Sequence, residues 1–148
     1  MTYKFTNAIV RKPNKSINNA LSSQYLHPSY EKILEIHDNY INSIEEAGLN
    51  IILLDSLEQY PDSIFVEDPA LIFKNNIIIL NPSDFSRNGE AKIIKNEITK
   101  YFEKIFIVEN GIIEGGDVLN INNHFIIGLS NRTDKVGAEN LSNILTSL

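Results

Sequence analysis

Cysteine is absent from the 148 residues, and that excludes two kinds of chemistry. No disulfide framework is available, so nothing points to secretion. No thiolate nucleophile can come from these residues either. A basic surplus is also missing: 13 Lys and Arg stand against 19 Asp and Glu, for a net charge of −6. Broad binding to a phosphate backbone needs a net basic face, so nucleic acid is not an expected partner, although a local basic pocket remains compatible. Long apolar runs are lacking too. The longest, such as Ile77 to Leu80, are far too short to span a bilayer. Met1 to Val10 has no basic region followed by a long apolar stretch, so no signal peptide is read there and a cytoplasmic protein is expected.

Metal and cofactor signatures are missing as well. The histidines are His27, His37 and His124, and no His/Asp/Glu spacing among them makes a metal site. No glycine-rich phosphate loop or dinucleotide fingerprint occurs. Neither a metal nor a cofactor is expected. Ser63 and Ser130 have no local histidine partner, so neither is taken as a nucleophile.

What is present is ordinary soluble composition, 43% hydrophobic and 22% charged, in a chain long enough for one compact domain or a large piece of a bigger one. Phe5 to Val10 reads as a buried strand that Arg11-Lys12-Pro13 ends. Residues 14–28 are polar and irregular, long for a plain connection, and read as a functional loop. Ser29 is an N-cap, Ile33, Ile36, Tyr40, Ile41, Ile44 and Ala47 recur at helical spacing, and Gly48 supplies the C-cap. Asn50 to Leu54 is a strand. Ala70 to Phe73 and Ile77 to Leu80 form a hairpin through Lys74-Asn75-Asn76, where Asn tolerates positive φ. Ser86 is expected to cap a second helix with Ile93, Ile94, Ile98, Tyr101 and Phe102 on one face, followed by a strand at Ile105 to Val108. A second hairpin, Asp117 to Ile121 and Phe125 to Leu129, turns at Asn122-Asn123. Thr133 is expected to cap a third helix carrying Val136, Leu141, Ile144, Leu145 and Leu148.

The two hairpins rhyme: Asn76-Ile77-Ile78-Ile79-Leu80 returns forty-eight positions later as His124-Phe125-Ile126-Ile127-Gly128. Each hairpin is followed by an arginine, Arg87 or Arg132, near a helix start. An α/β fold of repeated units, two strands, a helix and a strand, is one reading, with several units packing together. An ordinary open α/β domain with a chance rhyme is the other.

Three strings could carry chemistry. Pro61 to Pro69 holds Asp62, Glu67 and Asp68 among Ile64, Phe65 and Val66. Paired carboxylates match a planar guanidinium bidentately, which makes this a candidate cation-binding rim; a solvated loop with turn-capping acids is the plainer alternative. Glu114-Gly115-Gly116-Asp117 presents a carboxylate at a sharp turn, able to accept a proton or hold a cation, although most such strings are only turns. Arg87 and Arg132 could together clamp a carboxylate, and taken singly each reads as a surface arginine.

Taken together, Ala8-Ile9-Val10-Arg11-Lys12-Pro13, Tyr60-Pro61-Asp62-Ser63-Ile64-Phe65-Val66-Glu67-Asp68, Ser86-Arg87-Asn88-Gly89-Glu90, Glu114-Gly115-Gly116-Asp117-Val118-Leu119 and Gly128-Leu129-Ser130-Asn131-Arg132-Thr133 resemble the dimethylarginine dimethylaminohydrolase family of the arginine deiminase and amidinotransferase superfamily. They occur in family order and span nearly the whole chain. The resemblance implies an α/β propeller of five ββαβ units, of which residues 1–148 supply about three. It implies that Asp68 holds a substrate guanidinium with Asp62 and Glu67 beside it. Glu114 would act at the guanidinium or orient a catalytic histidine, Arg87 and Arg132 would bind the α-carboxylate, and Phe65 would line the pocket. The segment near Leu21 corresponds to a loop that covers the site in the family. The implied reaction is thiolate attack on the guanidinium carbon, release of methylamine or dimethylamine, and hydrolysis to citrulline, without a metal. The family's histidine and cysteine fall after the matched strings, so the expected domain is partial, and a second chain or a C-terminal half is expected to complete it. An arginine deiminase or amidinotransferase relative, or a non-catalytic module that binds an arginine-like ligand or a partner, are the alternatives.

Overall fold

The computed structural model describes residues 5–21, 29–87, 89–122 and 124–148, and the chain divides into two compact units, Met1–Val66 and Glu67–Leu148. Residues 22–28 of the expected loop, His27 among them, lie outside the described residues, as do Asn88 and Asn123.

In the first unit, strand β1 (Asn7–Arg11) and strand β2 (Asn50–Leu54) pair in parallel, Asn7 opposite Asn50 and Arg11 opposite Leu54. Parallel neighbours need a crossover, and helix α1 (Tyr30–Glu46) supplies it. The Ser29 side chain caps α1 by accepting from the Lys32 N–H. At the other end Gly48 takes a φ of 87°. Its N–H reaches the Glu45 carbonyl at 2.8 Å, and the Leu49 N–H reaches that of Ile44 at 3.3 Å. That is the Schellman arrangement, which needs the left-handed residue glycine provides. The apolar stripe of α1 is only partly inward: His37 is buried, whereas Ile36 and Tyr40 are exposed. The stretch expected to be irregular holds a 3-10 turn at Lys15–Asn19. Glu58 accepts from the Lys15 and Ser16 N–H groups, and the buried Asn14 amide donates to the Tyr60 carbonyl and to Ser63 Oγ.

In the second unit, β3 (Ala70–Phe73), β4 (Asn76–Ile79) and β5 (Lys104–Ile107) form one sheet in that order, antiparallel and then parallel, with α2 (Glu90–Ile98) as the crossover. A second hairpin, β6 (Val118–Ile121) and β7 (His124–Ile127), precedes α3 (Lys135–Thr146). The rhyme is structural. β3 recurs as β6 (70 to 118) and β4 as β7 (76 to 124), in the same register: Ala70 faces Ile79 as Val118 faces Ile127. The hydrogen bond from the Leu80 N–H to the Pro69 carbonyl returns as Gly128 to Asp117. Among the described residues, the non-glycine residues with positive φ, Lys74 and Asn122, sit at the matching turn position. In the first hairpin it is thus Lys74, not an asparagine, that takes the left-handed conformation. The fold is α/β with repeated ββαβ units: among the described residues β3 to β5 make up one such unit, β6 to α3 repeat its strand, strand, helix order, and β1 to β2 repeat its strand, helix, strand order.

Two expected caps move. Ser86 lies in a 3-10 turn at Phe85–Arg87 with its hydroxyl on Asp84, and α2 starts after left-handed Gly89. Asp134 rather than Thr133 caps α3, accepting from the Gly137 N–H at 2.7 Å. Helix α2 also stops at Ile98; Tyr101 lies in the 3-10 turn beyond and is exposed. Among the described residues no helix is long and apolar enough to cross a membrane.

The repeat also predicts a sticky face. Leu71 and Ile78 oppose each other on β3 and β4, and α3, through Leu141, Ile144 and Leu145, helps cover them, together with Val118 and Ile127. The matching face of the next hairpin carries Leu119, Ile121 and Ile126, and all three are exposed. Contiguous apolar surface of this kind drives association. Sedimentation of the chain is expected to show self-association that Ile126→Lys reduces. A clean wild-type monomer would contradict this.

Candidate functional site

Two acidic strand entries meet in the second unit. Glu67 and Asp68 lead into β3, and Glu114 to Asp117 lead into β6. The Gly115 N–H donates to the Asp68 carbonyl at 3.0 Å, and a Cβ on Gly115 would overlap the Glu67 carbonyl oxygen. Only glycine permits this approach. A Cβ on Gly116 would lie 3.3 Å from Asp68 Oδ1 and 4.0 Å from Arg132 Nη2. The glycine pair thus gathers Glu67, Asp68, Glu114 and Arg132.

Arg87 is buried between two carboxylates. Its Nη1 donates to Asp68 Oδ2. Its Nε and Nη2 donate to Glu90, the closest contact being Nη2 to Oε2 at 2.7 Å. Burial works against the Arg87 charge, but Glu90 and Asp68 outweigh it and hold the guanidinium above its usual pKa.

Arg132 is held more loosely. Its Nη1 lies 3.5 Å from Glu114 Oε2 and its Nη2 lies 3.7 Å from Asp117 Oδ1, and its side chain is half-exposed while Glu114 is buried. Asp117 fixes the loop that carries Arg132: Ser130 Oγ and Thr133 Oγ1 each donate to its Oδ2 at 2.7 Å. Those hydroxyl bonds and the Arg132 charge outweigh burial and pull Asp117 below its usual pKa.

Glu114 shifts the other way. Burial raises its carboxyl, the Asp68 charge adds to that, and Arg132 and Arg87 offset part of it. Glu67 reaches solvent, yet the protein packed around it and the neighbouring Asp68 charge raise it too, against Arg87. Five carboxylates (Glu67, Asp68, Glu90, Glu114, Asp117) face two guanidinium groups (Arg87, Arg132) in this cluster. A surplus of acid held partly out of water favours a cation as ligand. Among the described residues no group of three or more His, Asp or Glu is arranged to hold a metal ion.

The other sequence candidates belong to the first unit. Asp62 is buried, and both its oxygens accept from the Leu21 N–H, at 3.1 and 3.2 Å. The Leu21 and Phe65 side chains are exposed. Of the sequence candidates, Glu67, Asp68, Arg87, Glu114 and Arg132 therefore stand together in one unit. Glu90, Asp117, Ser130 and Thr133 join that cluster without having been singled out for it. The three-residue spacing from Arg87 to Glu90 at a helix start is the one signal that could have pointed to the first of them.

The acid-rich centre, with one buried and one half-exposed arginine, is carried on repeated ββαβ units of an α/β fold. The chain belongs to the dimethylarginine dimethylaminohydrolase family: the profile described as "N,N dimethylarginine dimethylhydrolase, eukaryotic" matches residues 5–145. It is 38% identical over 95% of its length to the N(G),N(G)-dimethylarginine dimethylaminohydrolase of Pseudomonas aeruginosa, of which it covers 57%. To the protein of the same name from Streptomyces coelicolor it is 29% identical over 90% of its length, covering 53% of that relative. It superposes on a mutant Pseudomonas aeruginosa DDAH complexed with citrulline with a TM-score of 0.94 at 37% identity, covering 98% of this chain and 58% of that one. The chain thus spans a little over half the length of these relatives. The N-terminal domain of ArgZ, a cyanobacterial arginine dihydrolase, shares the fold alone, at 15% identity and a TM-score of 0.84 over 97% of this chain and 55% of that one.

Proposed function

We propose that this chain is the substrate-binding portion of a dimethylargininase-like amidine hydrolase, acting in the cytoplasm on a guanidino amino acid of the dimethylarginine type. The surplus of carboxylates around Asp68 and Glu114 carries the reading. Asp68 accepts the planar guanidinium, with Glu67 beside it; Asp62, Phe65 and Leu21 are assigned to substrate binding on the resemblance to the family alone. Glu114 accepts from the same head group or orients a histidine. Arg132, half-exposed and loosely paired, takes the α-carboxylate. Arg87 shares that role and, through its bond to Asp68, also fixes the guanidinium acceptor. The chain contains no cysteine, so the thiolate that attacks the guanidinium carbon comes from outside these residues. Residues 1–148 form part of one domain, completed by a C-terminal half or a second chain that covers the apolar face of Leu119, Ile121 and Ile126.

The reading predicts a pH-dependent affinity with a definite sign. A cation binds the ionised carboxyls, and Glu114 and Glu67 both keep their protons to higher pH than usual. Binding of ethylguanidinium should therefore strengthen as pH rises through this raised carboxyl range, then level off, and release protons within it. Calorimetry in buffers of different ionisation enthalpy measures both. Undetectable ethylguanidinium binding across the range would contradict the reading.

A further inference from the structure

Resting on the reading of Asp68 as guanidinium acceptor, we infer that Glu90 is a positioning residue that keeps one oxygen of Asp68 turned toward the ligand. Glu90 opens α2 and is almost fully buried, 2% exposed. It takes the Nε and Nη2 edge of Arg87, with contacts of 3.2, 3.2 and 2.7 Å. Arg87 Nη1 then engages Asp68 through Oδ2, while Oδ1 lies against Gly116, on the side where Arg132 Nη2 also lies. The order of contacts is Glu90, Arg87, Asp68, and the last is the one placed to meet the cationic head.

Charge gives the chain of contacts its purpose. A buried guanidinium draws carboxylate oxygens in pairs, because its fork matches both at once. With Glu90 on one edge, Arg87 is balanced there and needs a single oxygen of Asp68. Without the Glu90 charge, Asp68 becomes the main counter-ion of Arg87. Its second oxygen is then drawn onto the same guanidinium, away from the Gly116 side, and the acceptor is lost to the ligand. The triad also carries a net charge of −1 when intact, which attracts a cation, and none when Glu90 is neutral. The carboxylate end of the ligand is met chiefly by half-exposed Arg132 and less by buried Arg87, so the effect falls mainly on the cationic head.

The test uses the full chain as wild type, Glu90→Gln and Glu90→Asp, titrated with ethylguanidinium, which has only the head, and norvaline, which has only the amino-acid end. In Glu90→Gln, ethylguanidinium binding is expected to weaken about tenfold, the size of one charge-assisted contact, with norvaline weakened much less. Glu90→Asp keeps the charge at shorter reach and is expected to lose about threefold for ethylguanidinium, again with a smaller loss for norvaline. A crystal structure of Glu90→Gln without ligand is expected to show both oxygens of Asp68 on Arg87. Unchanged ethylguanidinium binding, or equal losses for both ligands, would overturn the inference. Should wild type fail to bind ethylguanidinium, the functional reading fails, and the Asp68 orientation in the Glu90→Gln structure decides the positioning role separately. If Glu90→Gln does not fold, the two-ligand comparison in Glu90→Asp decides it.

Discussion

Asp68→Ala is expected to lower kcat/KM in a catalytically complete protein for every guanidinium substrate, whether or not it carries a carboxylate. Such a protein joins this chain to the cysteine- and histidine-bearing polypeptide of a relative. Arg132→Ala is expected to act on carboxylate-bearing substrates alone. The reason is charge matching at the two ends of an amino acid. A charge-assisted hydrogen bond at a site withdrawn from water is worth about 1.5–3 kcal/mol, so each loss should be roughly tenfold to a hundredfold or more. Asp68 is largely buried, bonds Arg87 through one oxygen, and presents the other beside Gly116, so both substrate classes meet it. Arg132 has no full hydrogen bond to Glu114 or Asp117, at 3.5 and 3.7 Å, and is free to turn to an anion. Arg87→Ala should resemble Asp68→Ala more than Arg132→Ala, because it also unseats Asp68. Asp68→Asn, which keeps the shape, controls for loss of packing. If Arg132→Ala slowed a small alkylguanidine as severely as it slowed dimethylarginine, the assignment would be wrong, and Arg132 would be holding the Asp117 loop instead.

How much of this was legible in the sequence follows from which forces are local. The helix at Ser29 to Gly48 was legible because its capping hydroxyl and left-handed glycine are local devices. The hairpins were legible because short apolar runs flank asparagine-containing turns, twice, forty-eight positions apart. Tertiary competition hid the rest. Thr133 reads as an N-cap, yet its hydroxyl is drawn to Asp117, and the cap passes to Asp134. Ser86 is held by Asp84, and α2 waits for Gly89. Periodicity placed Ile36 and Tyr40 on the inner face of α1 but could not show that His37 would be buried while they stayed outside. At the site, Asp68, Arg87, Glu114 and Arg132 could be proposed because the strings that carry them jointly resemble those of the family, whereas their chemistry taken singly reads as turns, loop acids and surface arginines. Glu90 could not be separated from an ordinary acidic first turn, since its importance lies in a buried contact with Arg87.

The proposed function has these residues hold the substrate while the nucleophile comes from elsewhere. Its most direct test is citrulline formation from dimethylarginine, measured for the 148-residue chain alone and for the same chain joined to the cysteine- and histidine-bearing half of a relative. The chain has no cysteine, so thiolate attack is not open to it alone. The expected result is no citrulline above the blank for the chain alone, and citrulline together with dimethylamine from the joined protein. Turnover by the chain alone, or a joined protein that folds and binds but releases no citrulline, would contradict the account.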